Sequence, residues 1–449
     1  MTATTSASRR RTRAAIASWA GTTIEYFDYA CYGIAASLVF ADVFFPASDP
    51  LVATLLSLSS FAVGYVARPL GALIFGHYGD RIGRRTVLII TLVLMGAATF
   101  VIGVLPTYGQ VGVAAPVLLV IARILQGVSA GGEYGGAILM TVEHSDSGRR
   151  GFFGSLVNTG TTAGLLLANL AFLPVLAMDE DAMHAWGWRI PFLVSAVLVV
   201  IGLVVRLAVE ETPEFHEVQR QQEVRRLPVV DLFRTSWRTV LLVALGIVGA
   251  GTAFTMATVF SLAYGKSELG QTGNRMLAVL LPATVVILVC VPLFGRLSDR
   301  IGVRPVFMGG AAALVVLPFA WFALLDTRQY GWMLLGFALL FVGYAANYAV
   351  VPAYFSAVFP SAVRYSGMSI AFTSGLIISN AIAPAVSESL LAAGGGWTAI
   401  AFYMGGAALV TLVAGAFLRL PGEPTGEQAG EQAADPKPAV RPIPLTRPE

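Results

Sequence analysis

Glu25 and Asp28 stand three residues apart in GTTIEYFDYACYG (21–33), a run otherwise made of apolar, small and aromatic residues. On an α-helix such a pair lies about 60° apart and shares a face. Gly21, Glu25, Asp28 and Tyr32 continue that face at 4-3-4 spacing, giving one polar stripe. An ionised acid facing lipid costs several kcal/mol, so both carboxylates are expected to face a cavity or a partner. Burial disfavours the charged form of an acid, and a nearby arginine favours it. An acid whose arginine approaches and withdraws can therefore take up and release a proton as the protein changes shape. A structural ion pair that only holds helices together is the simpler alternative.

Three further charges fall in apolar runs: Arg68 in VARPLG, Arg123 in ARILQG and Glu133 in GGEYGG. Arg123 is placed within side-chain reach of Asp28, if the helices that carry them pack together. Arg68 suits a carboxylate-bearing substrate or an acid partner, and Glu133 suits a structural or gating role. All five of these deep charges lie in the first half of the chain. The apolar runs of the second half carry only Glu388, near one end, and offer Thr252, Thr255, Tyr344, Asn347, Tyr348, Thr373, Ser374 and Asn380 instead. The expected division places proton handling, by Asp28, Glu25 and Arg123, in the first half and hydrogen-bonding contacts to substrate largely in the second. Candidate substrate contacts are Tyr32, Arg68, Arg123, Gln126, Asn158, Tyr344, Asn347, Tyr348 and Asn380.

The elements that must hold these residues are membrane helices. Of 449 residues, 56% are hydrophobic and 12% charged, with a mean hydropathy of +0.74. A soluble domain carries about a quarter charged residues. Apolar segments of roughly 20 residues, each able to cross a bilayer, are placed at 14–42, 52–77, 86–105, 114–141, 152–176, 188–209, 238–264, 274–297, 305–325, 331–357, 365–391 and 397–419. The short alternating segments of a transmembrane barrel do not occur. The reading is an all-α membrane protein of twelve helices in two pseudo-symmetric six-helix bundles. Residues 1–13 form an N-terminal tail, 14–209 the first bundle, 210–237 a linker, 238–420 the second bundle and 421–449 a disordered tail rich in Pro, Gly and Glu.

Charge placement sets the orientation. Arg9, Arg10, Arg11 and Arg13, Arg81, Arg84 and Arg85, Arg149 and Arg150, the linker arginines, Arg300, Arg304 and Arg364 all fall on one side. By the positive-inside rule that side, with both termini, is cytoplasmic. The N-terminal arginines precede a long span with no A-x-A exit, which argues against a cleaved leader. Cys31 and Cys290 lie far apart in separate spans, and the four histidines are scattered. No disulfide framework, metal site or cofactor is expected.

An internal repeat supports two halves: GHYGDRIGRR at 76–85 is echoed by GRLSDRIGVR at 295–304. Each copy follows the second span of its half, an arrangement of parallel repeats that places a transporter's site between the bundles. The loop, together with GTTIEYFDYACYG, VARPLGALIFGHYGDRIGRR, ARILQGVSAGGEYGGA and FPSAVRYSGMSIAF, resembles the major facilitator superfamily. Within it, the resemblance is to the metabolite:proton symporters that carry shikimate, dicarboxylates, proline or betaine. It runs from about residue 14 to 420 and implies a direct pairing of Arg123 with Asp28. It also implies an inner gate of Asp80, Arg81, Arg84, Arg85, Glu143, Arg149, Asp299, Arg300 and Arg364. In that gate Asp80 sits at the N-terminus of a helix in the other half, where the dipole favours negative charge. The sugar-carrier pattern has a glutamate three residues before Pro360; Ala357 stands there, so Arg364 lacks that acid.

The implied function is proton-coupled uptake of a small polar metabolite, an organic acid, by a chain that works as a monomer in the bilayer. Its partners are the substrate, protons and lipid, with no nucleic acid and no enzymatic activity. An osmolyte symporter of the proline/betaine type remains an alternative, and so does an efflux antiporter. The glycine-proline motif of such antiporters is incomplete here: Gly160 and Gly164 are present, but Leu165 replaces the proline. Gly127, Ser129 and Gly131 match G-x-S-x-G, a pattern that needs a strand-to-helix elbow and so carries no catalysis inside a membrane helix.

Overall fold

The computed structural model describes residues 2–46, 49–82, 84–143, 145, 147–207, 228–360 and 364–420; side chains are described from Ile16 onward, apart from those of 76–82, 84, 85, 134, 139, 140, 143, 147, 228–231 and 365. Twelve helical spans run through them. The first bundle holds α1 (Thr2–Leu38), α2 (Pro50–Ile82), α3 (Arg84–Val104), α4 (Ala114–Gly131, resuming as Tyr134–Glu143), α5 (Arg150–Leu176) and α6 (Ile190–Leu207). The second begins with α7, built from Pro228–Gly246, Val248–Thr255, a π-helical segment Met256–Phe260 and Ser261–Ser267. It continues with α8 (Gly273–Ile301), α9 (Val303–Asp326) and α10 (Tyr330–Tyr348, then Val351–Ala357). Last come α11 (Arg364–Leu376, a π segment Ile377–Ala381, then Ala383–Ala392) and α12 (Gly396–Phe417).

Eleven of these spans are long and apolar enough to cross a membrane. The other, α1, is long enough at 37 residues but carries the two carboxylates and a run of hydroxyl groups. It also begins earlier than the sequence suggests: the helix is continuous from Thr2, and a separate turn, Phe40–Phe44, replaces its expected end. Likewise residues 228–237, read as linker, are already helical, with a kink at Ser236. The rest of the linker (210–227) and the tail (421–449) lie outside the described residues.

Within the first bundle α1 packs on α5, α2 on α4, and α3 on α4 and α6. Between bundles, α5 packs on α8 and α2 on α11, contacts that exchange under the internal repeat. Small residues permit the closest approaches. A Cβ on Gly127 would stand 2.2 Å from the carbonyl oxygen of Gly64, and one on Gly131 would stand 1.9 Å from that of Arg68. The apolar face turned outward, such as Val197, Val200 and Val204 of α6, is exposed and spaced to meet lipid.

The interrupted helices have local causes. Pro352 has no N–H to bond the carbonyl four residues back, so the Tyr348 carbonyl is released where α10 breaks; Asn158 of the first bundle donates to it at 2.8 Å. Beside the π segment of α7, the Ser37 hydroxyl of α1 lies 3.0 Å from Val259 O and 2.8 Å from the Gly33 carbonyl of its own helix, so one proton is shared between the two acceptors. Both contacts join the two bundles, one toward each face of the membrane.

Candidate functional site

Asp28 is fully buried among helices of its own bundle. Thr99 of α3 donates to its Oδ2 at 2.7 Å, and Ser195 of α6 donates to its Oδ1. The expected ion pair with Arg123 does not form. Instead Arg123 Nη1 donates to Gln126 Oε1 at 2.9 Å, and Gln126 Nε2 donates to Thr99 Oγ1 at 2.7 Å, so acid and base are joined through two neutral side chains. The guanidinium is held back by rings: it lies 4.1 Å from the Tyr32 centroid, 4.2 Å from Tyr29 and 5.1 Å from Phe61. Its Nη2 also donates to the Phe61 carbonyl at 3.2 Å. Such π contacts strengthen where water is excluded.

Glu25, one turn nearer the N-terminus, pairs with Arg68 at 3.1 Å. Arg68 lies 4.1 Å from the same Tyr29 ring, and its Nε donates to the Tyr29 hydroxyl at 3.2 Å. Tyr29 therefore touches both arginines. Next along α1, the expected stripe reaches Gly21, whose missing Cβ leaves room for Arg206 and Glu133, an ion pair of α6 with α4. Arg206 is thus a further deep charge beyond the five counted from the sequence, and Arg189, at the start of α6, is buried as well, donating to the Leu105 carbonyl at 2.8 Å. Although Arg206 stands in the last turn of an apolar span, its side chain turns inward.

The other face of α1 looks onto a cavity between the bundles. Tyr26, Tyr29 and Ala30 of α1, Phe61 and Tyr65 of α2, and Leu165 of α5 line one side; Phe254, Thr255, Thr258 and Val259 of α7 line the other. It leaves about 20 Å³ open to the centre of a water molecule, room for a water or two, so the bundles are closed on each other. Among the described residues no acid or base lines it; Arg68 and Arg123 stand behind its tyrosines.

The sequence candidates sort accordingly. Tyr32 faces inward and donates to Ser60 at 2.8 Å. Tyr344 stacks on the cavity residue Phe254 at 5.3 Å and on Tyr348 at 5.0 Å. Asn380, in the π segment of α11, accepts from Ser379 at 2.8 Å and stands beside the cavity residue Tyr65. Asn347 instead donates to the Phe307 carbonyl at 2.9 Å within its own bundle, away from the cavity. Tyr26, Tyr29 and Tyr65 were not singled out as contacts, although the first two flank Glu25 and Asp28 in the quoted run.

At the end of the structure where α1 begins and α12 ends, Asp299 accepts from the backbone N–H groups of Gly151 at 2.8 Å and Phe152 at 3.1 Å. This caps the start of α5 across the bundle boundary, the placement expected for its repeat mate Asp80. The side chains of Asp80, Arg81, Arg84, Arg85 and Glu143 lie outside the described residues. Arg149 and Arg300 are exposed, and Arg364 Nε donates to the Phe359 carbonyl at 3.3 Å.

Two bundles related by a repeat, a central cavity and buried charges beside it define a membrane transporter of the alternating-access kind. The chain belongs to the Major Facilitator Superfamily, whose family model matches residues 18–373 and 276–448. Among curated proteins it is 38% identical over 413 residues to the inner membrane metabolite transport protein YhjE of Escherichia coli, covering 90% of this chain and 93% of that protein. It is 35% identical to the shikimate transporter of the same organism (89% and 92% covered) and 33% identical to its proline/betaine transporter (91% and 83%). Among solved structures, the xylose transporter XylE from E. coli, in a partially occluded inward open conformation, superposes with a TM-score of 0.73 at 17% identity, covering 93% of this chain and all of that one. That likeness concerns the fold. The family consists of transporters, and this chain is a multi-pass membrane transporter rather than an enzyme.

Proposed function

We propose that the chain is a proton-coupled symporter that takes up a small organic acid by alternating access. The observation that carries this reading is the buried relay Asp28–Thr99–Gln126–Arg123, one ring's thickness from the central cavity. A hydroxyl can donate to a carboxylate or accept from a carboxylic acid, so Asp28 is held in either protonation state. Arg123 feels the difference through Gln126, and two of the rings it touches, Tyr29 and Phe61, line the cavity. Asp28 is the proton carrier, Glu25 its accessory in the Arg68 pair, and the proton is the coupling ion, with no cofactor.

Cargo meets the aromatic wall, the hydroxyls of Thr255 and Thr258, and Asn380 through Tyr65. The bundles then rock about the filled site, parting the Ser37 link on one face or the Asn158 link and the Asp299 cap on the other. The chain sits in the cytoplasmic membrane with both termini in the cytoplasm and works as a monomer. The proline/betaine and shikimate carriers among its relatives define the compounds to try first. The test is uptake into proteoliposomes of shikimate, 2-oxoglutarate, L-proline and glycine betaine under an imposed pH gradient. Accumulation driven by inward acid supports the reading; accumulation that needs sodium and ignores pH contradicts it.

A further inference from the structure

We propose that Arg123 is the counter-charge for an anionic cargo, and that one proton on Asp28 and one carboxylate on the cargo bind together, so that the loaded carrier moves no net charge. This rests on the proton-symport reading above and adds to it the charge of the cargo and the electrical balance of the cycle.

Among the described residues seven buried charges occupy the first bundle; Arg189, at the start of α6, is held by the Ala185 and Leu105 carbonyls, and the six deeper ones are Glu25, Asp28 and Glu133 against Arg68, Arg123 and Arg206. Two pairs are closed, Glu25 with Arg68 and Glu133 with Arg206. Asp28 and Arg123 remain, equal in charge but separated by Thr99 and Gln126. The titratable and charged groups around Asp28 are Glu25, Tyr29, Cys31 and Tyr32 of α1, Arg68 of α2, Arg123 and Glu133 of α4, and Arg206 of α6; α3 contributes the hydroxyl of Thr99. With all three acids ionised, the set sums to zero.

Protonating Asp28 leaves one positive charge in excess, and it sits on Arg123. That guanidinium has no carboxylate partner among the described residues, and its Nε has no hydrogen-bond acceptor. An uncompensated charge in the protein interior is strongly unfavourable. A cargo carboxylate in the cavity restores neutrality across the Tyr29 and Phe61 rings. With Asp28 ionised, the same carboxylate would leave the set one charge negative. Proton and anion therefore each favour binding of the other, and the effect is reciprocal. A neutral compound gains nothing from the proton. A zwitterion brings an ammonium into a cavity backed by two guanidinium groups. The flat walls of Tyr26, Tyr29, Phe61, Tyr65 and Phe254 suit a small cyclic or planar body attached to the carboxylate.

The test is thermal stabilisation of the purified full-length protein by shikimate (a cyclic hydroxylated monocarboxylate), 2-oxoglutarate, the methyl ester of shikimate, L-proline and glycine betaine, at acid and at alkaline pH. Carboxylates are expected to bind about tenfold more tightly or better at acid pH, with about one proton taken up per monoanion bound and no binding of the ester. Asp28→Asn, fixed in the neutral form, should bind the monocarboxylate with no pH dependence, and Arg123→Gln should not bind it. If Arg123→Gln fails to fold, the Asp28→Asn result still decides. In proteoliposomes, a potassium diffusion potential should leave the initial rate of proton-driven monoanion uptake unchanged. Equal binding of ester and acid, tighter binding of a zwitterion than of either acid, failure of both carboxylates to bind, or uptake accelerated by the potential would overturn the inference. Proton-driven uptake of a zwitterion alone would overturn it while leaving symport standing, whereas uptake indifferent to pH would remove both.

Discussion

Thr99 Oγ1 lies 2.7 Å from Asp28 Oδ2 and 3.0 Å from the Met95 carbonyl oxygen, while Gln126 donates to it at 2.7 Å. One hydroxyl proton therefore has two acceptors to choose from. With Asp28 ionised, the proton points at the carboxylate. With Asp28 protonated, the carboxyl donates to Thr99, and the hydroxyl turns to Met95. Gln126 keeps its bond in both states, so the site changes charge without moving a helix.

Thr99→Val keeps the shape of the side chain and removes this rotor. It leaves Asp28 short of a donor and Gln126 short of an acceptor, at about 1–3 kcal/mol for each unsatisfied group. The expected outcome is a displaced pH profile for substrate exchange and at least a tenfold loss of gradient-driven uptake, with Thr99→Ser close to the parent. Exchange and uptake measured across pH check it; an unchanged profile in Thr99→Val would remove Thr99 from the relay.

The Ser37 and Asn158 contacts between the bundles should bias the conformational equilibrium in opposite directions. Ser37→Ala removes the bond to Val259, and Asn158→Ala removes the bond to Tyr348. Each loss is worth about 1 kcal/mol, enough to change the ratio of states several-fold. Distances between spin labels on opposite loops should show Ser37→Ala enriched in the state open on the outer face and Asn158→Ala in the state open on the inner one.

Gly131→Ala should be among the most damaging small substitutions in the chain. Its new methyl would meet the Arg68 carbonyl at 1.9 Å and the Ala72 nitrogen at 2.7 Å, both backbone atoms that cannot turn aside. Loss of folded protein, or a melting temperature lower by several degrees, is expected. Gly309→Ala, with nothing within 4 Å, is the matched control and should melt like the parent.

Removing one partner of the inner ion pair should cost more than removing both. Arg206→Met strands the Glu133 carboxylate, a loss of about 3–5 kcal/mol by comparison with other buried pairs. Adding Glu133→Gln should recover most of it. Thermal unfolding of the two single variants and the double variant measures this coupling, and equal melting of Arg206→Met and the parent would argue against a closed pair.

Much of this was legible from residue types and spacing. The span count, the two halves and the inward stripe of Glu25 and Asp28 follow from hydropathy, the repeated loop and helical periodicity. What a single sequence hid were facts of side-chain competition. Arg123 was within reach of Asp28, yet three aromatic rings and Gln126 hold it away. Arg206 was not singled out at the end of its apolar span, but Gly21 leaves space for it to reach Glu133. Asn347 has the chemistry of a substrate contact, and only packing shows that it faces Phe307. Tyr26 and Tyr29 share α1 with the acids and border their stripe, and which of these neighbouring positions meets the cavity shows only once the packing around α1 is known.

The central claim is that Asp28 carries the coupling proton. It is tested most directly by comparing two activities of Asp28→Asn in the same proteoliposomes: accumulation under an inward acid gradient, and exchange of internal for external substrate without a gradient. The account predicts that accumulation disappears while exchange persists, because the amide cannot take up or release the proton yet still allows the bundles to rock. Full accumulation by Asp28→Asn would contradict it.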